Sequence, residues 1–540
     1  MPEDGTSVVF DHHQFFATVT DIVGADNVRT DATTLALHSA DIWSQGNGAL
    51  LAVVSPLSLD QLSGVVAVIN RAGLPIAPRG AGMSYTGGYV PVAGRTVSLD
   101  LSRMNRILAI SPEDMTVTVE AGCSWAALNQ ALAPLGLRTP FWGPMSGLVS
   151  TIGGGLSQLN AMLGGGHYGT SSESVVALSV VLADGQVLRT GARGADGDSP
   201  FYRHYGPDLA GLFCGDSGAF GIKAEITLRL MRAPEHEGYA SFSFANGRDL
   251  LLAMAEMARA GVACETCAFD PGLTKVRLTR ASLASDVKTL GAVVGQQKSL
   301  LKGLVEAARV VKGGRDFIDE DGYPLHVICE GRSRAAVEAD LDGARRIAAA
   351  LRGKEIPNSI AKIIRSVPFP PLNSVLGPKG ERWAPVHGLV PLSAAPAIFE
   401  ELQAMLAGRA EAFAAENIFT GTLFTGASTN ALIIEPVFYW PEQRFAIHEQ
   451  AIEPAHLAKL PELAANPTAT NLVTAARQAV IAIFARHGCA HYQIGRTYPY
   501  LASRDDATRA LLSAIKGVVD PAGLINPGGL GLAPLPTAPE

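Results

Sequence analysis

"RGAGMSYTGGY" spans residues 79–89 and sets glycines at 80, 82, 87 and 88 on either side of Tyr85. Glycine tolerates positive φ, so such a loop can turn successive N–H groups toward one point and form an anion nest. Two more glycine-rich runs follow, "STIGGGLSQLNAMLGGGHYG" (150–169) and "GDSGAFGI" (215–222). A diphosphate lying along such runs would be held largely by backbone amides. Each run alone is a weak signal, but all three fall before residue 235, more than turns require. A nicotinamide fingerprint needs G-x-G-x-x-G between a strand and a helix. The 79–89 loop runs on into more loop, so that reading fails. No G-x-x-x-x-G-K-[ST] motif occurs either.

The segments around these loops mix strands and helices. "SLDQLSGVVAVINRAG" (58–73) reads as a helix with Ser58 and Gln61 as a capping box and Gly73 at its end. "LPIAPR" then leads as a short strand into the glycine loop. "TVSLD" (96–100) and "MTVTVEAG" (115–122) alternate with period two and predict strands. "SWAALNQALAPLG" (124–136) predicts a helix capped by Ser124. "SVVALSVVLADGQVLRTG" (174–191) predicts a hairpin turning at Asp184-Gly185. The texture changes near "RAPEHEG", around residue 235. Alanine-rich helices such as 332–351 then alternate with a few strands, and 367–380 is a proline-rich loop. The last stretch predicts a strand at "AHYQIGRTY", a helix at "DDATRALLSAIKGVVD" and a turn at "PAGLINPGGL".

A chain of 540 residues is too long for one core. Its net charge of −7 and lack of a basic run argue against a nucleic-acid surface. The acidic start, "MPEDGTSVVFDHH", lacks the apolar core of a signal peptide, and no apolar run reaches membrane-spanning length, so a cytoplasmic location is expected. The cysteines are scattered apart from one C-x-x-C at 264–267, read as inert thiols. His448 and His456 lie eight residues apart and share no helix face, so no metal site is expected.

The ordered set "PIAPRGAGMSYTGG", "STIGG", "HYGTSSESVVALSVVLADGQVLRTG", "GDSGAFGI" and "DPAGLINPGGL" resembles the vanillyl-alcohol oxidase/para-cresol methylhydroxylase flavoprotein superfamily. The resemblance covers roughly residues 50–235 and the last 60. It implies an α+β protein: a two-subdomain FAD-binding domain plus an α/β substrate cap with an antiparallel sheet. Residues 1–235 and 481–540 would form the FAD domain and 236–480 the cap. It assigns FAD contacts to Pro78, Arg79, Gly80, Ala81, Gly82, Met83, Ser84 and Tyr85, and to Thr151, Ile152, Gly153 and Gly154. Further contacts fall on His167, Gly169, Gly218, Gly221, Ile222 and Asn526. It also implies a homodimer.

Within that superfamily the metal motif of the D-2-hydroxyacid dehydrogenases, H-G-D-G-N-x-H, is absent from this chain. The 4-phenol oxidising branch holds its substrate as a phenolate with two tyrosines and an arginine. Tyr85 matches one tyrosine, and Tyr492 in "HYQIGR" matches the other. The arginine position is Gln493. On a strand, residues 492, 494 and 496 share a face, so Arg496 is the expected substitute. Thr151 stands where phenol oxidases often carry an aspartate base. His387, in "WAPVHGLVPLS", is the candidate for a covalent link to FAD. The resemblance puts the attaching histidine one residue earlier, on Val386, and one residue on a strand reverses the face. Met83 occupies the other known attachment position.

These residue types suit hydride transfer from a benzylic carbon to flavin N5. A phenolate para to that carbon stabilises the electron-poor product as a quinone methide, and tyrosine hydroxyls plus a cation stabilise the phenolate. The leading expectation is thus a FAD-dependent oxidoreductase of para-substituted phenols or aryl alcohols, a 4-phenol oxidase of aromatic catabolism. The alternative is a FAD-dependent D-2-hydroxyacid dehydrogenase with Arg496 gripping the carboxylate. A third is a flavoprotein that binds FAD without catalysis. Oxygen, a cytochrome or a quinone each remain open as electron acceptor.

Overall fold

The glycine loop grows out of the end of a parallel strand. In the computed structural model, which describes residues 11–283 and 319–532, strands Leu50–Val54, Thr96–Asp100 and Ile76–Arg79 run parallel with Thr96–Asp100 in the centre. Helix Leu59–Arg71 makes the crossover, burying Leu62, Val65, Val66 and Ile69. Ser58 caps it by accepting from the Gln61 amide, and Gln61 reaches back to the Leu57 amide rather than to Ser58. Residues 1–10, which hold most of the acidic start, lie outside the described residues.

A second sheet is antiparallel and five-stranded, in the order Ile107–Ser111, Thr116–Glu120, Ile222–Arg229, Val175–Val181, Val187–Arg189. The last two strands form the expected hairpin, with Gly185 at φ +90 in its turn. Val175–Val181 is buried on both faces, which explains its continuous apolar sequence. One core joins the two sheets. The C-terminal stretch closes onto it: the Ile76 amide donates to Leu524 O at 2.8 Å, and the Asn526 amide donates to Ile76 O at 2.8 Å.

A separate antiparallel domain holds an eight-stranded sheet. Its strands include His236–Phe244, Tyr323–Gly331, Glu265–Phe269, Phe419–Ala427, Ala431–Trp440 and Arg382–Pro385. Helices Gly247–Ala260, Arg334–Ala350, Ala395–Ala407 and Pro467–Arg486 share a second core with this sheet. The other face of Phe419–Ala427 and Ala431–Trp440 looks back at the glycine loops. The protein is therefore of the α+β class, a mixed domain that carries the glycine loops plus a separate antiparallel domain. No described helix is long and apolar enough to cross a membrane.

One element differs from expectation. Residues 491–499 do not form a strand: only Ala490 bridges, to Leu389, and the chain then turns. Gln493 sits at φ +46 and Gly495 at φ +54, so the alternation that aligned residues 492, 494 and 496 does not exist. All six cysteines are free, and Cys264 and Cys267 are buried within the cap.

Candidate active site

Between the glycine loops and the cap sheet lies a cavity of about 780 Å³. This is the upper part of the range for ligand sites. Pro78, Arg79, Gly80, Ala81, Gly82, Met83, Ser84 and Tyr85 line it, with Thr151, Gly153, Gly154, Gly218, Gly221 and Ile222. The amides of Ala81, Gly82 and Met83 donate to no described residue, leaving them for a ligand. A Cβ on Gly80 would collide with Thr151 Oγ1, and one on Gly153 would sit 2.6 Å from the Ala121 Cβ. Gly82 and Gly218 take positive φ, at +76 and +69. Thr151 caps helix Ile152–Gln158, its Oγ1 accepting from the Gly154 amide, while the Ile152 and Gly153 amides donate to Cys123 O and Ala121 O. Gln158 Oε1 and Asn160 Oδ1 are buried without a partner beside it. Backbone donors, glycine clearance and unpaired amide groups fit a diphosphate-linked cofactor such as FAD.

Four expected FAD contacts fall elsewhere. Ile152 is fully buried in the core of the FAD domain. His167 pairs through Nε2 with Gly261 O at 3.0 Å, and Gly169 ends a four-residue helix away from the cavity. Asn526 acts as a pin, its Nδ2 donating to Gly88 O at 2.7 Å and Ser217 O at 2.6 Å. It fixes the glycine loops without facing the cavity.

Tyr85 faces the cavity from the first loop. Its Oη accepts from Gln493 Nε2 at 2.8 Å, which leaves its own proton free to point at a ligand. Its ring packs edge-on to Trp383, with centroids 5.5 Å apart. Tyr492 also lines the cavity. Burial pushes both phenols above their ordinary range, so both are donors at neutral pH. The positive charge near Tyr85 comes from Arg477 on helix Pro467–Arg486. Its Nη2 donates to Tyr85 O at 3.3 Å, and its guanidinium stacks on Trp43 at 3.8 Å.

Arg496 does not reach the cavity. Its guanidinium donates to Gly87 O, Val90 O, Pro527 O and Asn526 Oδ1. It is consumed in tying the first loop to the C-terminal turn, and the reversal at Gln493 and Gly495 is what turns it away. His387 does line the cavity, yet both ring nitrogens are engaged. Nε2 accepts from the Tyr492 amide at 3.0 Å, and Nδ1 lies 3.3 Å from Tyr498 Oη. Burial lowers its pKa to about 3, so it is neutral.

Glu435 was not singled out from the sequence. It interrupts the apolar strand Ala431–Trp440, shares its face with Ile433, Val437 and Tyr439, and lines the cavity. Burial raises its carboxyl to about 7, and its charge acts on Tyr85. A lone carboxylate in an apolar strand was the available signal. Among the described residues, no group of three or more His, Cys, Asp or Glu side chains is placed to hold a metal ion.

Residues 50–191 match the family model of a FAD binding domain, and FAD is the cofactor of this chain. The glycolate oxidase subunit GlcD of Bacillus subtilis (strain 168) is 33% identical over 214 residues, 40% of this chain and 44% of that protein. The mitochondrial D-lactate dehydrogenase [cytochrome] of Arabidopsis thaliana is 34% identical over 197 residues, 36% of this chain and 33% of that protein. The chain thus aligns with less than half the length of these curated relatives. Solved structures match along nearly the whole chain. A p-cresol methylhydroxylase with substrate bound gives a TM-score of 0.71 at 18% identity, covering 96% of this chain and 97% of that one. The 4-ethylphenol oxidase from Gulosibacter chungangensis, in an isoeugenol complex, gives 0.66 at 19%, covering 99% of each. An alkyldihydroxyacetonephosphate synthase gives 0.68 at 15%, covering 96% of this chain and 85% of that one. The fold, a FAD domain of this type with an antiparallel cap, is shared with all three.

Proposed function

We propose that this protein is a FAD-dependent oxidoreductase that removes a hydride from the benzylic carbon of a para-substituted phenol or aryl alcohol. The observation that carries the reading is Tyr85. Its hydroxyl is held as an acceptor by Gln493, so its proton is directed outward, in a cavity it shares with Tyr492 and Glu435. Bound FAD supplies the hydride acceptor. Tyr85 and Tyr492 would donate to the substrate's phenolate oxygen, strengthening as negative charge persists there through the reaction. Arg477, behind the Tyr85 carbonyl, adds positive potential without touching the substrate. Glu435 would accept the phenol proton, a role suited to a carboxyl titrating near neutrality. It supplies the base that Thr151 cannot.

A second reading has its own support. Two curated relatives matched over part of the chain are named as glycolate oxidase and D-lactate dehydrogenase. On that reading the same Glu435 takes the proton of a 2-hydroxyl group. Anaerobic flavin absorption decides between them. Bleaching by 4-hydroxybenzyl alcohol, with none by D-lactate, is expected. Bleaching by D-lactate alone would overturn the phenol assignment.

A further inference from the structure

Helix Pro271–Leu283 lies along the cavity and presents Leu273, Val276 and Arg277 to it, the spacing of one helical face. Leu273 and Val276 are buried apolar side chains, as expected beside a cavity. Arg277 is a cation on the same wall. Its guanidinium rests on the Phe269 ring at 3.8 Å from the centroid. Among the described residues it forms no ion pair and no hydrogen bond to a side chain.

The buried arginines here are answered by oxygen, whereas Arg277 is more exposed and lines the cavity. Arg138 and Arg365 meet Glu330, Arg382 donates to Trp43 O, and Arg477 donates to Tyr85 O. Among the described residues Arg277 meets a ring, that of Phe269. Its neighbour Cys267 is no counter-charge, because burial raises that thiol to about 11. Surrounding protein desolvates the guanidinium and makes its charge costlier. An unpaired guanidinium on a cavity wall is a ready partner for an anion entering that cavity. Arg277 lines the cavity.

The register fixes where that charge lies. Phe269 pairs with Leu423, and Leu423 pairs with Glu435. Arg277, resting on Phe269, therefore stands over the same sheet face as Glu435, and the Phe269 and Glu435 main chains lie two strand spacings, roughly 10 Å, apart. One end of the space carries Tyr85, Gln493 and Glu435. Across the sheet stands a cation, with Ile360 and Ile363 among the apolar lining.

We propose that Arg277 is an anion subsite of this cavity, receiving the carboxylate of an aromatic acid whose ring lies between it and Tyr85. This rests on the cavity being the substrate site, and it narrows the substrate from a neutral phenol to one with a short acidic arm. A planar guanidinium meets a carboxylate with two parallel N–H···O bonds, and the methyl ester of the same acid cannot accept them as an anion.

The test uses the FAD-loaded protein and perturbation of flavin absorption on titration. The probes are 3-(4-hydroxyphenyl)propionate and its methyl ester, then 3-phenylpropionate and its methyl ester. In the native protein each acid should bind about 10- to 100-fold tighter than its ester. Arg277→Met should bring that ratio close to one, with Arg277→Lys in between. Equal binding of acid and ester by the native protein would overturn the proposal, as would a ratio that survives in a FAD-loaded Arg277→Met. Should Arg277→Met fail to retain FAD, the native ratio and the Lys variant decide. The phenylpropionate pair lacks the hydroxyl, so it reports on Arg277 even if no phenol reduces the flavin.

Discussion

Glu435 gives the sharpest prediction, because one ionisation sets both rate and stability. Its carboxyl titrates near 7 in the folded protein, against an ordinary value of 4.5. The folded state therefore holds this proton more tightly than the unfolded chain does. Below pH 4.5 the proton is bound in both states and burial of the group costs nothing extra. As pH rises from 4.5 to about 7 the unfolded chain ionises first, and stability falls. At about 1.4 kcal/mol per pH unit, the full loss is roughly 3 kcal/mol. Water in the cavity screens the charge and reduces this to about 1–2 kcal/mol. Catalysis runs in the opposite sense, since a base works only when deprotonated. Flavin reduction by 4-hydroxybenzyl alcohol should rise with pH through about 7. Glu435→Gln should remove that rise and slow reduction by about 100-fold. The same substitution should flatten the loss of stability between pH 5 and 8 in urea titrations. A Glu435→Gln variant whose reduction rate still climbs through pH 7 would refute the reasoning.

Four further outcomes follow from other parts of the site. Tyr85→Phe should slow anaerobic flavin reduction by phenols by about 100-fold while leaving FAD content unchanged, read from the absorption spectrum. Acid precipitation should release FAD into the supernatant, because both nitrogens of His387 are already engaged; flavin retained on the pellet would contradict this. Gly80→Val should abolish FAD retention, since a Cβ there strikes Thr151 Oγ1. Glu330 is buried, which disfavours its charge, yet Arg138 and Arg365 hold it below the ordinary carboxylate range. Arg138→Ala should therefore cost about 3–5 kcal/mol in urea unfolding, by leaving a buried charge with one partner fewer.

The FAD domain was legible because its signals are local. Period-two runs such as "TVTVE", the Ser58 and Ser124 caps and the Asp184-Gly185 turn each need only a few neighbouring residues to take effect. The glycine loops were legible for the same reason: a nest is a property of a short backbone. The catalytic side of the cavity is built differently. Arg477 acts on Tyr85 across 392 positions of sequence, and Glu435 matters only because its strand happens to face the glycine loops. Alternation along "ALIIEPVFYW" shows that Glu435 shares a face with Tyr439, but not that this face looks into a cavity.

The "HYQIGR" segment shows how one backbone choice reassigns two roles. As a strand it would have sent Tyr492 and Arg496 to one side. Positive φ at Gln493 and Gly495 reverses the chain instead. The reversal carries Arg496 onto the carbonyls of Gly87, Val90 and Pro527, where it braces the loop that bears Tyr85. It also places the Gln493 amide against Tyr85 Oη, so a neutral donor orients the phenol where a cation was expected. A neutral donor holds the tyrosine without lowering its pKa as far as a guanidinium would. On the proposed function, the charge that holds a substrate phenolate would come from farther off. Arg477 would provide it from behind the loop, and Glu435, titrating near 7, would become uncharged as it takes the phenol proton, so that it does not oppose the phenolate it forms. On this arrangement the division of labour is set by the turn, with Arg496 bracing the loop and Gln493 aiming the hydroxyl.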